Sequence, residues 1–301
     1  MYKIIQKRKI FYTISIALVS VSLIGWFLWG LKYGIDFTGG SLMDVSYSQA
    51  RPDMDQLKNS FKDLGVEPVI VQPSGDKDYI FRFKDVPEAK HQEILQAISQ
   101  IKIENVSDNK LTENKFESIG PSLGKELKSK AFQAIIIVLI FIVLYIAYAF
   151  RKVSKPVESW KYGVAAIIAL THDIIIVTGV FVFLGKFMGV EVDSLFVTAL
   201  LTILGFSVHD TIVTFDRLRE NLFKSRTFEN FEEIINISIN QTMIRSINTS
   251  LTTFLALLAI LLFGGESTRY LALALSIGII IGTYSSIFVA SPLLLLFNKK
   301  R

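Results

Sequence analysis

The sequence predicts a polytopic α-helical membrane protein of six transmembrane helices, with one α+β domain outside the membrane between helices 1 and 2. Three observations carry this reading. The 301 residues are 51% hydrophobic with a mean hydropathy of +0.45, too apolar on average for a water-soluble enzyme. The apolar residues come in blocks of about 20, the length that crosses a bilayer as a helix. Most of the remaining polar residues fall in one stretch, 33–129, enough for a single domain of about a hundred residues.

The first apolar block, 10–31, follows a cytoplasmic N-terminus, 1–9, that carries Lys3, Lys7, Arg8 and Lys9. Its length exceeds the roughly 7–15 residues of a signal-peptide core, and no A-x-A-like cleavage site follows, so it reads as an uncleaved anchor. Five more blocks occupy 131–150, 163–184, 194–215, 247–263 and 271–297. The last is long enough to need tilt or a helical end beyond the bilayer. Six spans put both termini on one side. Short cytoplasmic loops carry the excess of Lys and Arg, and one side holds sixteen: Lys3, Lys7, Arg8, Lys9, Arg151, Lys152, Lys155, Lys161, Arg217, Arg219, Lys224, Arg226, Arg245, Lys299, Lys300 and Arg301. The two short loops opposite hold only Lys186 and Arg269. Both termini, including the tail 298–301, are therefore expected in the cytoplasm. Trp26, Trp29, Trp160 and Tyr162 suit interfacial belts, and packing in the core suits each of them equally.

Within 33–129, Ser41 to Ser48 reads as a strand, Pro52 to Leu64 as a helix with Leu57, Phe61 and Leu64 on one face, and Val66 to Val71 as a second strand. Tyr79 to Phe83 alternates as a third strand. Pro87 opens a helix with Ile94, Leu95, Ile98 and Ile101 at helical spacing, and Val106 to Ile119 supplies the last strand. The order β-α-β-β-α-β is the ferredoxin-like arrangement, a surface for contacts and not in itself a sign of chemistry. His91 stands alone on its helix and is expected to face solvent. In the loop 216–246, Phe228, Phe231, Ile234, Ile235 and Ile239 recur at near-helical period among acidic residues. This predicts a short amphipathic cytoplasmic helix along the membrane surface or packed on the bundle.

Ionisable residues inside spans cost about 2.5–3.5 kcal/mol each on insertion scales, which makes each a functional candidate. His172 and Asp173 sit near the middle of the third span, and His209 and Asp210 in the fourth. Ser207, Asp210, Thr211 and Thr214 fall at i, i+3, i+4 and i+7, one stripe that must face protein or water. The fifth span opens with Arg245, and Thr249, Thr252 and Thr253 continue a similar face. Asp210 and Thr249 are expected at comparable depth, with Arg245 one turn nearer the inner surface and able to reach the carboxylate. That pair could carry protons or simply fix helix register. A metal site is not expected, because neighbours on a helix point about 100° apart and each His-Asp dipeptide aims only one side chain inward.

Other chemistry is excluded. With no cysteine there are no disulfides, zinc–thiolate sites or cysteine nucleophiles. The Gly-rich GIDFTGG at 34–40 lacks the GK[ST] ending of a phosphate loop, and neither G-x-S-x-G nor H-E-x-x-H occurs. No enzymatic activity, cofactor or metal is expected. The net charge of +5 lies at membrane edges, so nucleic acid is not an expected partner.

Three motifs then agree in order and topology: GIDFTGGSL after the first span, GVEVDSLFVTALLTILGFSVHDTIVTFDRLREN across the fourth, and NTSLTTFLALLAILLFGG across the fifth. The chain resembles the SecF members of the SecD/SecF family of protein-export membrane subunits, which are related to the RND transporters, and the resemblance covers essentially its whole length. It implies a bacterial or archaeal plasma-membrane protein that works with a SecD-like subunit at the SecYEG channel and uses the proton motive force to promote preprotein translocation. It also implies that the outer domain engages the emerging unfolded preprotein, while membrane lipid surrounds the bundle. Residue by residue, Asp210 matches the family's intramembrane acid, Arg245 its basic residue and Thr249 a neighbouring polar position. Asp173 matches a His-Asp pair of less defined role. Many members carry Asn where this chain has His209, which leaves open whether His209 shares in proton transfer. The alternatives are a scaffold subunit without transport, or an RND-type half-transporter for small molecules.

Overall fold

A computed structural model describes residues 2–66, 69–101, 103, 109–150, 158–225 and 230–297. The chain divides into two compact units, Tyr33–Ala131 and the remainder, Met1–Lys32 with Phe132–Arg301. This matches the expected insertion of one domain after the first span.

In the larger unit a short 3-10 turn, Ile5–Lys7, leads into α1 (Arg8–Trp29). The other long helices are α5 (Pro121–Ala149), which belongs to this unit from Phe132 onward, α6 (Ser159–Met188), α7 (Ser194–Lys224) and α8 (Phe231–Phe263). The last span is composite: α9 (Glu266–Ser285), a π-helical turn Ser286–Ala290, and α10 (Ser291–Phe297). Six helices among the described residues are long and apolar enough to cross a membrane. In their most apolar stretches α6 and the last span are 56% and 61% buried, whereas α5 is 6% buried. The centre of the bundle is therefore built from α6, α7 and the last span, and α5 lies at the edge.

Without a hydrophobic drive between helices in lipid, close approach depends on small residues. At the crossing of α1 and α6, a Cβ on Gly179 would lie 2.2 Å from Ser22 Oγ and 2.8 Å from Ser22 Cα. Asp193 caps α7, its Oδ1 accepting from the Phe196 N–H at 2.9 Å.

The segment expected to form a separate amphipathic helix is instead continuous with the fifth span. Phe231, Ile234, Ile235 and Ile239 are buried in the bundle core. Their apolar face packs on protein, so no break separates them from the span. Phe228 lies outside the described residues. The fourth span likewise runs on to Lys224, so both helices extend well into the expected loop 216–246.

The smaller unit opens with a single turn α2 (Ile35–Thr38) and continues β1 (Gly40–Tyr47), α3 (Met54–Asp63), β2 (Ile70–Ser74), β3 (Asp78–Phe83), α4 (Glu88–Ser99) and β4 (Leu111–Ile119). The antiparallel sheet has the order β2-β3-β1-β4, as the ferredoxin-like reading requires. β2 begins later than expected, and the early part of the expected last strand, 106–108, lies outside the described residues. The alternating strand pattern puts Met43 and Val45 of β1 and Tyr79, Phe81 and Phe83 of β3 on one buried face. Leu57 and Phe61 of α3 and Ile94 and Ile98 of α4 cover it, with the Phe61 ring 5.0 Å from that of Phe81.

His91 is not solvent-facing. It is 3% exposed, stacked on Phe116 with ring centroids 3.6 Å apart. Its Nε2 is 2.7 Å from Glu113 Oε1 and its Nδ1 3.1 Å from Glu88. Hydrogen bonds from Gln92 and His91 hold the exposed Glu88 carboxyl below the usual range.

Gly39 ends α2 with φ +73, and a Cβ there would lie 2.7 Å from the Cα of Pro121. Gly65 has φ +70 with nothing within 4 Å. Both substitutions by Ala carry backbone strain of about 1–3 kcal/mol, but only Gly39→Ala also forces atoms apart. In the detergent-solubilised chain, Gly39→Ala should expose the 33–131 unit to protease well before Gly65→Ala does; equal loss would remove the packing explanation.

Candidate functional site

The polar stripe read on α7 is buried as expected: Ser207 is 0% exposed, Asp210 6%, Thr211 1% and Thr214 1%. A helix repeat of 3.6 places these four on one side, which here faces α6, α8 and the last span. Two carboxylates anchor the arrangement.

Asp173, on α6, is fully buried. Its Oδ2 accepts from Ser207 Oγ of α7 at 2.6 Å and from Ser285 Oγ of α9 at 2.8 Å. Its Oδ1 is 2.9 Å from His172 Nδ1. One acid thus ties three spans together. The π turn sits against it, where Ser286 Oγ and Thr211 Oγ1 are 2.8 Å apart and Ser286 Oγ donates to the Ser207 carbonyl at 3.3 Å. Ser291 Oγ donates to the carbonyl of Ser286, five residues back, at 3.0 Å. Such turns recur at functional sites.

Asp210 is held differently. Ser246 Oγ of α8 donates to its Oδ1 at 2.5 Å, while Oδ2 is buried with no hydrogen-bond partner. Ser246 belongs to a run of buried hydroxyls on α8, Ser238, Thr242, Ser246 and Ser250, spaced by four residues. Thr242 Oγ1 lies 3.3 Å from Thr214 Oγ1, and Ser250 Oγ bonds Thr283 Oγ1 of α9.

The expected partners of Asp210 stand elsewhere. Arg245 and Thr249 lie on the exposed side of α8, and His209 on the exposed side of α7. Arg245 makes no ion pair with Asp210 within 4.0 Å; the residue after it, Ser246, takes that place. The reason is helical phase. The fifth span carries two polar faces, and residues 245 and 249 share the outer one with Asn248 and Thr252. His172 and Asp173 do lie together, and His172 is 6% exposed.

Sequence reasoning missed Ser246, Ser250, Thr283, Ser285 and Ser286. The signal was present as small hydroxyl residues at helical spacing in the last two spans. No described group of three or more His, Cys, Asp or Glu is placed to hold a metal ion.

Six apolar helices around buried carboxylates, with an α+β domain inserted after the first, define a multi-pass membrane protein with an ionisable core. Residues 99–300 match the family model for the C-terminal part of the protein export membrane proteins SecD/SecF, and residues 30–50 match that for the SecD/SecF GG motif. The chain belongs to the SecD/SecF family. It is 41% identical to the protein translocase subunit SecF of Thermobaculum terrenum, over 100% of this chain and 95% of that one. Identity to the corresponding subunit of Pseudomonas aeruginosa is 34%, over 97% and 90%. Among solved structures it resembles SecDF, a translocon-associated membrane protein from Thermus thermophilus, with a TM-score of 0.83 and 30% identity. That match covers 99% of this chain and 39% of the SecDF chain. A second SecDF structure, in a super-membrane-facing form, matches with a TM-score of 0.66 and 31% identity.

The Asp173 cluster makes a stability prediction. A hydrogen bond contributes about 0.5–1.5 kcal/mol net, and two hydroxyls that donate to one oxygen should not act independently. Ser207→Ala and Ser285→Ala should each lower the thermal midpoint in detergent, and the double variant should differ clearly from their sum. Strict additivity would mean the two hydroxyls serve separate sites.

Proposed function

We propose that this chain is a subunit of the protein-export machinery that acts beside a SecD-like partner at the SecYEG channel and uses the proton motive force to promote preprotein translocation, without catalysing covalent chemistry. The observation that carries the reading is Asp210: an acid in the bundle interior with one oxygen held by Ser246 and the other unpartnered. Two opposing influences act on such a group, loss of water and the charge of a nearby cation. A small shift of α7 against α8, or of a partner against Arg245, changes its balance and so its proton occupancy. Alternating exposure of one acid to the two sides is what gradient coupling requires.

The exposed face of α8 supports a partner. Arg245, Asn248, Thr249 and Thr252 are too polar to meet acyl chains, and a SecD-like subunit covering them would bring its own groups next to Arg245. The 33–131 unit has a packed ferredoxin-like core and is assigned to contact with the emerging preprotein, outside the plasma membrane of a bacterial or archaeal cell.

Orientation is tested directly, since the chain has no cysteine of its own. Cysteines placed singly at Ser74 and Ser225 should react with an impermeant thiol reagent from outside and from inside respectively; reversed labelling would overturn the topology.

Coupling is tested in vesicles containing the whole translocase under an imposed proton gradient. Asp210→Asn keeps shape and hydrogen bonding but cannot titrate, and should abolish gradient-stimulated translocation while the complex still assembles. Arg245→Lys keeps the charge without the planar fork and should be partly active. Unchanged stimulation by Asp210→Asn would return the bundle to a purely structural role.

A further inference from the structure

Seven hydroxyl side chains lie on α8, and six of them bond in the same way. Ser238, Thr242, Thr249, Ser250, Thr252 and Thr253 each donate to the carbonyl four residues back, at 2.7–3.1 Å. A helical hydroxyl without water commonly resorts to this bond. Ser246 is the exception. Its Oγ donates to Asp210 Oδ1 at 2.5 Å, and among the described residues no hydroxyl donates to the carbonyl of Thr242, four residues back.

A buried carboxyl needs opposite partners in its two protonation states. Charged, it only accepts; neutral, it brings an O–H that must be given to an acceptor. Asp210 has one hydrogen-bond partner for both tasks, because its Oδ2 is buried with none. A serine hydroxyl can fill either role. At position 246 the hydroxyl also has somewhere to send its own hydrogen when it accepts, the carbonyl of Thr242.

The other titratable groups in this part of the bundle are engaged elsewhere. Asp173 and His172 of α6 are bonded to each other, and Tyr162 of α6 packs its ring on Phe150 and Phe215. Tyr284 of α9 donates to the carbonyl of Phe11 at 2.9 Å. His209 and Arg245 stand on the exposed sides of α7 and α8. Ser246 is thus the group that meets the Asp210 carboxyl whichever charge it carries.

We propose that Ser246 positions Asp210 for proton exchange by reversing this hydrogen bond, an inference that rests on the proton-coupled reading above. With Asp210 charged, the Ser246 hydroxyl donates to Oδ1. A proton arriving from water adds to the unpartnered Oδ2. A half-turn of the carboxyl about Cβ–Cγ, a torsion that is broad and roughly twofold, brings the new O–H to Ser246. The acid then donates to Ser246 Oγ, and the serine hydrogen turns to the Thr242 carbonyl, the bond that the six other hydroxyls already make. No serine O–H bond breaks. The proton stays on the carboxyl oxygen and leaves from it to water after the reverse turn.

The test measures gradient-stimulated translocation by the whole translocase in vesicles, and records on the full chain in lipid the infrared carboxyl band of neutral Asp210, assigned by its loss in Asp210→Asn. Ser246→Ala should cut the stimulation about tenfold, the equivalent of one hydrogen bond to a charged group, and move the band to higher frequency. Ser246→Thr keeps the hydroxyl and should hold both near the unaltered chain. Ser246→Cys fills similar space with a weak donor and should fall between, which serves if the alanine variant does not assemble. Full stimulation or an unmoved band in Ser246→Ala, or in Ser246→Cys where alanine fails to assemble, overturns the inference even though Asp210→Asn uncouples. Equal loss in Ser246→Thr and Ser246→Ala overturns it as well, since the hydroxyl would then not matter. Stimulation that survives in Asp210→Asn sinks the proton-coupled reading itself, and this inference with it.

Discussion

The whole bundle depends on one constraint: in hydrocarbon there is no water to satisfy a stray polar group, so a hydroxyl, carboxyl or imidazole left without a partner in protein is costly, and most of those among the described residues have one. Asp173 meets it with three donors from three spans, and that requirement fixes the rotation of α6, α7 and α9 about their axes at once. Apolar side chains alone would not do so, because leucines pack against lipid as readily as against each other. The hydroxyls at 238, 242, 246 and 250 set the phase of α8 by the same rule. Polar contacts orient these helices, and small residues such as Gly179 let them approach.

How much of this was legible in the sequence follows from the same rule. The stripe on α7 could be read because its polar residues share one face and the opposite face is apolar. The corresponding reading of α8 chose the wrong side, since the helix bears Arg245, Asn248, Thr249 and Thr252 on one face and Ser238, Thr242, Ser246 and Ser250 on another. A charged residue draws attention, while serines that close their own backbone bonds do not. The last span drew none, because it holds no ionisable residue in its middle. In the outer domain the strand alternation and helix periods gave the topology directly. The burial of His91 was hidden because Glu113 lies on a strand 22 residues away.

The two acids are solved in contrasting ways. Asp173 is saturated, and moving it means breaking bonds to several helices together. Asp210 has one firm bond and one open oxygen, so its surroundings can change at lower cost. A fully bonded acid beside one with an unpartnered oxygen gives the bundle a fixed frame next to a carboxyl held by a single contact from α8. Arg245 stands on the exposed side of α8, away from this pair of acids.

The π turn at Ser286–Ala290 has a consequence for phase. It lodges one extra residue in the last span, so Leu293 to Phe297 trail the rhythm set by Leu271 to Ser285 by about a quarter of a turn. Consecutive serines at the seam can then serve two different neighbours at one level, Ser285 reaching α6 and Ser286 reaching α7. A helical wheel drawn through 266–297 as one regular helix would misplace its final two turns by about a quarter of a turn, and aligned sequences would tolerate a single-residue insertion or deletion here only where the rest of the span turned with it.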